Sequence, residues 1–219
     1  MIRVLLADDH AIVRDGIRQI LADTPDLVLA GEAVDGNEVL DKVRAGDWDV
    51  LVLDISMPGR NGLDLIKQIK AEKPKLPILV LSMHHEEQYA VRALRAGACG
   101  YLTKESDAEH LVAVIRKVAG GGVFLSPAVA EQMARDLIPG GGGEQLPHTQ
   151  LSDREFQVFR MIVAGAGVTE IADKLCLSVK TVSTHKTRIM QKMNMSNQTE
   201  LIRYAIRHKL VDEADDLAE

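Results

Sequence analysis

Five short apolar runs recur along the first half of the chain, at Ile2–Ala7, Leu27–Ala33, Val50–Leu53, Ile78–Leu81 and Cys99–Leu102. Segments of helical period separate them. Val13, Ile17, Ile20 and Leu21 fall at i, i+4, i+7 and i+8, and Leu63, Ile66 and Ile69 repeat the spacing. Ser106-Asp-Ala-Glu109 reads as a capping box opening a fifth helix, whose apolar face is Leu111, Val114, Ile115 and Val118. Apolar strands alternating with amphipathic helices leave few solutions. Short strands that are apolar on both faces belong in a parallel sheet covered on its two sides. The spacing therefore predicts a doubly wound α/β domain with a five-stranded parallel sheet over residues 1–122.

Gly120-Gly-Gly122 closes that domain. Residues 123–150 read as a linker, with a short helix after Pro127 carrying Val129, Met133 and Leu137, then the Gly-rich stretch Pro139–Gly143. About 12 flexible residues give an r.m.s. reach of roughly 20 Å, enough for two domains to dock or separate. Residues 151–211 contain no strand-like run. Ser152-Asp-Arg-Glu155 is a second capping box, before a helix with Phe156, Phe159, Met161, Ile162 and Val163 that Gly165 and Gly167 interrupt. A short helix holds Ile171, Ala172 and Leu175, Ser178 caps a third over Val179–Met193, and a fourth follows Ser196. Four short helices with a tight second-to-third connection predict a small all-α helix-turn-helix domain.

Charge divides the chain the same way. Residues 1–125 hold 15 Lys and Arg against 19 Asp and Glu, and residues 151–211 hold 10 against 5. Residues 212–219 are an acidic tail with five acids and no base. An acidic half joined to a basic helical unit points to a nucleic-acid-binding domain carried by another domain. No apolar run reaches the ~20 residues of a membrane span, so no membrane is expected as a partner. Cys99 and Cys176 form no disulfide framework and have no metal-ligand spacing, which with the absence of a signal-peptide pattern at the start favours the cytoplasm.

In open α/β sheets ligands bind beyond the carboxyl ends of the strands, at the point where strand order reverses. The first strand ends in Asp8-Asp9 and the third in Asp54. If those strands are neighbours, three carboxylates converge, and two of them ~4 Å apart repel by roughly 4 kcal/mol at an effective dielectric near 20. A cation relieves this, and an all-oxygen ligand set suits Mg²⁺. Taken singly, Asp8 or Asp9 is equally well a helix N-cap. The fourth strand ends in Ser82 and the fifth in Thr103-Lys104, a hydroxyl and an ammonium on the same rim. Together they suit a phosphoryl group carried by Asp54, since carboxylates are covalent nucleophiles toward phosphoryl donors.

The pattern Asp8-Asp9, Asp54-Ile-Ser-Met-Pro58, Gly62, Ser82, Tyr101 and Lys104 resembles the flavodoxin-like receiver domain of two-component response regulators. The resemblance implies that Asp54 accepts phosphate from a sensor histidine kinase. It also implies that Asp8, Asp9, Asp54 and the backbone carbonyl of Ser56 hold Mg²⁺. Ser82 and Lys104 would then bind the phosphoryl group, and Tyr101 would swing inward behind Ser82. Glu105 stands where many receivers have proline, so no cis X–Pro geometry is expected there.

The second half is similar to the LuxR-type helix-turn-helix of the NarL/FixJ subfamily. The matching residues are Leu151-Ser-Asp-Arg-Glu155, Ala164-Gly165, Glu170-Ile-Ala172, Leu175, Leu177-Ser178, Lys180-Thr-Val182, His185, Ile189 and Lys192-Met193. The likeness implies a third helix in the major groove of double-stranded DNA, with Lys180, Ser183, Thr184, Lys186, Thr187 and Arg188 as candidate contacts. Val168-Thr169 and Ser183 depart from the Asn-Lys and Lys that many relatives carry, so those two contacts do not transfer. Relatives dimerise through the last helix, which makes Leu201, Ile202 and Ala205 candidates for a homodimer face.

The whole reads as a phosphorylation-controlled transcriptional regulator, not an enzyme. A phosphohydrolase using Asp54 lacks the Asp-x-Asp arrangement, because Ser56 stands two residues on. A constitutive DNA-binding protein with a non-phosphorylated receiver is the alternative; a ligand-sensing LuxR-type activator lacks an aromatic-rich pocket domain. His84 and His85 read as solvated loop residues, Cys176 as a small buried apolar residue, and His185 as a packing or phosphate-touching residue.

Overall fold

The computed structural model describes residues 1–57, 61–83, 87–137, 146–208 and 210. Pro58, His84, His85, the Pro139–Gly143 stretch and the tail 212–219 lie outside the described residues. The chain divides into two compact units, Met1–Met133 and Ala134–Glu219.

In the first unit the strands are β1 (Ile2–Ala7), β2 (Leu27–Ala33), β3 (Val50–Leu53), β4 (Ile78–Ser82) and β5 (Gly100–Thr103). Between and after them lie α1 (Ala11–Ala22), α2 (Gly36–Ala45), α3 (Gly62–Glu72), α4 (Glu87–Ala96) and α5 (Ala108–Ala119). The sheet is parallel throughout, in the order β2-β1-β3-β4-β5. This is the doubly wound fold that the alternation of apolar runs predicts. All four residues of β3 are buried, because helices cover both faces of the central strands. Val4, Leu6, Val52, Leu79 and Ile115 centre the main core, with Ile17 and Leu21 packed into it from α1.

One expected helix start is corrected. The fifth helix is capped by Asp107, whose carboxylate accepts from the His110 amide, and not by Ser106. Ser106 is taken up in the preceding turn, where its amide donates to the Thr103 carbonyl at 3.1 Å. The ends of β4 and β5 lie one residue beyond the apolar runs, at Ser82 and Thr103, because ladder pairing continues through Ser82↔Thr103.

After β5 and α5 the chain returns along the sheet edge, where Gly100 bridges to Phe124, and enters α6 (Pro127–Leu137). Val129 of α6 packs with Ala90 and Val91 of α4, and Leu94, Tyr101, Leu125 and Met133 gather around them.

Among the described residues from 146 onward, the second unit holds a 3₁₀ turn (Pro147–Gln150) and four helices, α7 (Asp153–Val163), α8 (Val168–Lys174), α9 (Val179–Met193) and α10 (Gln198–Arg207). Here the capping box is as expected: Ser152 accepts from the Glu155 amide and Glu155 accepts from the Ser152 amide. Phe156 and Phe159 are fully buried, with ring centroids 6.1 Å apart. Ile171, Val182, Ile189, Met193, Leu201 and Ala205 complete the core.

The α8–α9 turn contradicts the expected burial of Cys176, which is exposed and sits at φ 51°. The Leu177 amide donates to the Ala172 carbonyl and the Cys176 amide to Asp173, the paired bonds that end a helix on a left-handed residue. That position turns the side chain away from the core, whatever its polarity. Ser178 then caps α9 by accepting from the Thr181 amide at 3.0 Å.

Candidate functional site

The strand order reverses between β1 and β3, and the register Ala7↔Leu53 places the next residues, Asp8 and Asp54, side by side. The ladders run one bond further: the Asp54 amide donates to the Ala7 carbonyl at 2.8 Å, and the Asp8 amide to Ala33 at 3.1 Å. Both carboxylates are buried, Asp8 at 1% and Asp54 at 2% exposure. Asp9 and His10 complete the cluster, with one ligand atom from each of the four lying within 4.8 Å of the others.

Lys104 closes the site from the far side. Its amide donates to the Ser82 carbonyl at 2.9 Å, which fixes the start of the loop after β5 against the end of β4. Its ammonium donates to Asp54 Oδ2 at 2.6 Å and lies 2.7 Å from Asp8 Oδ2. That ion pair is the contact recorded for the buried Asp8 Oδ2. Burial pushes the Lys104 ammonium down, yet Asp54 and Asp8 outweigh it and hold the pKa above the ordinary lysine value. Lys104 is therefore a fixed positive charge at neutral pH.

The other Asp54 oxygen, Oδ1, accepts from the Ser56 amide at 2.7 Å. Gly62 is what lets this loop lie so close to α3: a Cβ there would sit 2.5 Å from the Ile55 carbonyl oxygen. One ammonium is shared by Asp8 and Asp54, and Asp9 adds a third carboxylate to the cluster. That donor set fits a divalent cation with oxygen preference.

Asp8, Asp9, Asp54 and Lys104 are thus brought together. Ser82 lies buried at the same strand end, paired with Thr103. Tyr101 is elsewhere: it is half-buried beside α4 and α6, where with Leu94, Phe124, Leu125 and Val129 it lines a cleft of about 270 Å³. Two residues escape the sequence reading. His10 points its Nδ1 at Asp8 Oδ1 and Asp9 Oδ1, at 3.2 and 3.1 Å. Arg14 donates from Nη1 to the Asp8 carbonyl at 2.8 Å, holding the backbone of the acidic pair. His10 directly follows Asp8-Asp9 and Arg14 lies one helical turn beyond it, which is the only signal for either in the sequence.

In the second unit, α9 buries Val182, Ile189 and Met193, and exposes Lys180, Ser183, Thr184, Thr187 and Arg188. These five are spaced i, i+3, i+4, i+7 and i+8, one continuous polar face. Ser183, Thr184 and Thr187 donate to the carbonyls of Val179, Lys180 and Ser183, so their hydroxyl oxygens stay open as acceptors. Lys186 is half-buried and donates to Gln198 Oε1 at 2.9 Å, which turns it toward α10. His185 is half-buried with an enclosed Nδ1, and burial followed by the nearby Arg154 and Arg188 charges keep its pKa below the usual histidine value.

The candidate dimer residues on α10 differ in exposure. Leu201 and Ala205 are fully buried in the core of their own unit, as the i, i+4 pair on the inner stripe of an amphipathic helix. Ile202 is half-buried, and the open apolar residue on α10 is Ile206, 64% exposed.

Glu155 fixes α9 against α7. It is 4% exposed and accepts from Lys192 Nζ at 2.6 Å. Burial raises its pKa, but the bonds from Lys192 and Ser152 outweigh that and leave it below the ordinary carboxylate value. A depressed native pKa adds stability above the unfolded value of about 4.3, and this is lost as pH falls through the native one. Glu155→Gln is expected to lose about 1.5–3 kcal/mol at pH 7, the worth of hydrogen bonds to a charged group. In denaturant titrations the gap from wild type should close below about pH 4; a gap that stays constant with pH would refute the assignment.

Residues 4–116 match the response regulator receiver domain, and residues 149–205 match the bacterial regulatory proteins of the luxR family. The chain is 40% identical over 213 residues to the response regulator GacA of Pseudomonas viridiflava, covering 97% of this chain and 99% of that one. It is 38% identical over 215 residues to the oxygen regulatory protein NreC of Staphylococcus carnosus, covering 96% and 99%. Among solved structures it resembles RcsB from Salmonella enterica serovar Typhimurium bound to promoter rprA in the presence of phosphomimetic BeF3−. The TM-score is 0.66 at 31% identity, covering 93% of this chain and 97% of that one.

Proposed function

The chain belongs to the NarL/FixJ response regulators, which join a receiver to a LuxR-type helix-turn-helix, and from that premise we propose that it is a DNA-binding transcriptional regulator switched by phosphorylation of Asp54. The observation that carries this reading is the Lys104 ammonium held between Asp54 and Asp8 at the point of strand reversal. Residues 1–122 act as the receiver, 123–150 as the linker and 151–211 as the DNA-binding domain, ahead of the acidic tail 212–219.

An Asp54 carboxylate oxygen attacks the phosphorus of a phosphohistidine on a sensor kinase. The P–O bond forms, the P–N bond breaks, and the departing imidazole takes up a proton from water. Asp8, Asp9, Asp54 and the Ser56 carbonyl are the residues that would hold Mg²⁺, which supplies positive charge to the transferring oxygens. Lys104 leaves its bond to Asp54 Oδ2 for the new phosphoryl oxygens, and the Ser82 hydroxyl donates to them. Ser82 shifting toward the phosphoryl group opens room into which Tyr101 turns from its place beside α4 and α6. The residues that Tyr101 leaves, Leu94, Leu125 and Val129, are those through which α6 packs on the receiver. The change therefore reaches the linker helix directly.

The output is a homodimer on double-stranded DNA, with α9 in the major groove. Lys180 and Arg188 meet phosphates or base edges, and the Ser183, Thr184 and Thr187 hydroxyls read their surroundings. The protein acts in the cytoplasm as a regulator and not as an enzyme; among the described residues no helix is long and apolar enough to cross a membrane. Moving the switch from 1:99 to 99:1 takes about 5.5 kcal/mol, which phosphorylation, dimerisation and DNA binding share.

The test is retention of genomic DNA fragments by the full chain, with and without Mg²⁺ and a small phosphodonor. Phosphodonor should enrich a discrete set of fragments for wild type and leave Asp54→Ala unchanged. On one such fragment, Arg188→Ala should lower the slope of log affinity against log salt by about 1 per bound copy. Equal retention by Asp54→Ala and phosphorylated wild type would support a constitutive DNA-binding protein instead.

A further inference from the structure

Two rows of side chains run along the outer face of α9. Val179, Ser183 and Thr187 form one and Lys180, Thr184 and Arg188 the other, each at i, i+4 and i+8. All six are exposed, Val179 at 49%. The ammonium and the guanidinium belong to the two ends of their row, about 12 Å apart along the axis at 1.5 Å per residue. Of the nitrogen donors between them, Lys186 is turned onto Gln198 Oε1 and His185 is half-buried with an enclosed Nδ1. The hydroxyl protons are engaged as well. Ser183, Thr184 and Thr187 donate to the carbonyls four residues back, at 2.9, 2.9 and 3.1 Å. Those bonds also hold each threonine in one χ1 rotamer, which fixes where its methyl group sits. The middle of the face therefore presents methyl groups and hydroxyl lone pairs.

We propose that Val179, Thr184 and Thr187 are specificity-determining residues that read thymine C5-methyl groups, so that the stretch of operator under the middle of α9 is made of A·T pairs. The inference rests on reading α9 as the helix in the major groove. There guanine shows two acceptors, N7 and O6, and these would meet only lone pairs and methyl groups. Adenine and cytosine each bring an amino donor to the hydroxyl oxygens, so that bond does not tell the two pairs apart. The thymine methyl does, because cytosine has none. Lys180 and Arg188 hold the DNA at either end of the face, and the methyl contacts choose the register between them. Burying one methyl group in such a contact is worth about fourfold in affinity.

The full-length protein, with Mg²⁺ and a small phosphodonor, selects duplexes from a randomised library, and the selected duplex is remade with uracil in place of single thymines. Uracil keeps every hydrogen-bonding group of thymine and lacks only the methyl. Affinity should fall about fourfold at each contacted thymine. Each loss should disappear in one of Val179→Ala, Thr184→Ser and Thr187→Ser, which remove methyl groups and, at the two threonines, keep the hydroxyl. Affinity for a mixed-sequence duplex and its salt slope should be the same in all three variants, since no charge changes. Selected duplexes that share no thymine, or uracil that costs nothing in wild type, overturn the methyl readout and leave α9 as the DNA-binding helix. Losses that persist unchanged in all three variants overturn the assignment to these residues. A library from which no sequence is enriched overturns the reading of α9 itself, and the methyl readout with it.

Discussion

Lys104→Met is expected to lower the unfolding free energy of the receiver by about 3–5 kcal/mol in the absence of divalent cations. The ammonium is the counter-charge that two buried carboxylates share, at 2.6 and 2.7 Å. Methionine keeps the stem's volume and removes the charge, so Asp8 and Asp54 repel without compensation. The same substitution should tighten Mg²⁺ binding, because ammonium and metal draw on the same carboxylate oxygens. Mg²⁺ should accordingly stabilise the variant more than the wild type, following RT ln(1 + [L]/Kd) with a smaller Kd. Denaturant titrations at several Mg²⁺ concentrations measure both effects. Equal stabilities and equal Mg²⁺ dependence would show that Lys104 is not the counter-charge of the site.

Phe156→Ala acts on the other unit and is expected to cost about 3–5 kcal/mol. Phe156 is among the largest side chains that are fully buried, and it stacks on Phe159 in a unit of four short helices. A domain of some 60 residues is stable by about 3–9 kcal/mol, so the loss takes most of its margin. The expected result is a helix-turn-helix unit that is cleaved rapidly by protease and retains no DNA, beside a receiver that still takes up phosphate on Asp54. DNA retention unchanged from wild type would mean that the Phe156–Phe159 pair does not hold the unit together.

Sequence periodicity was enough for the parallel sheet, through apolar runs of four to seven residues between amphipathic segments, whereas the neighbouring of β1 and β3 that makes the switch point is given by the structure. The convergence of Asp8, Asp54 and Lys104 follows from that topology alone. Local patterns were less decisive where tertiary contacts compete. Ser152-x-x-Glu155 forms its capping box, while the same spacing at Ser106 yields to a turn with Thr103 and to the neighbouring carboxylate of Asp107. Cys176 has the composition of a core residue, but its place after α8 demands a left-handed backbone that exposes it. Leu201 and Ala205 illustrate a third limit. An apolar stripe announces that a helix face is covered, and does not say whether its own domain or a second copy covers it. His10 stands next to Asp8-Asp9 in the chain, and the turning of its ring back onto them is visible only in the structure.

The central claim is that Asp54 is a phosphoryl acceptor held ready by its acidic neighbours and Lys104. Intact mass of the purified full-length protein, after Mg²⁺ and a small phosphodonor, tests it most directly. One added phosphoryl group is expected, absent in Asp54→Ala and absent when a chelator replaces Mg²⁺. A folded protein that gains no phosphoryl group with Mg²⁺ present, or one that gains it equally in Asp54→Ala, would contradict it.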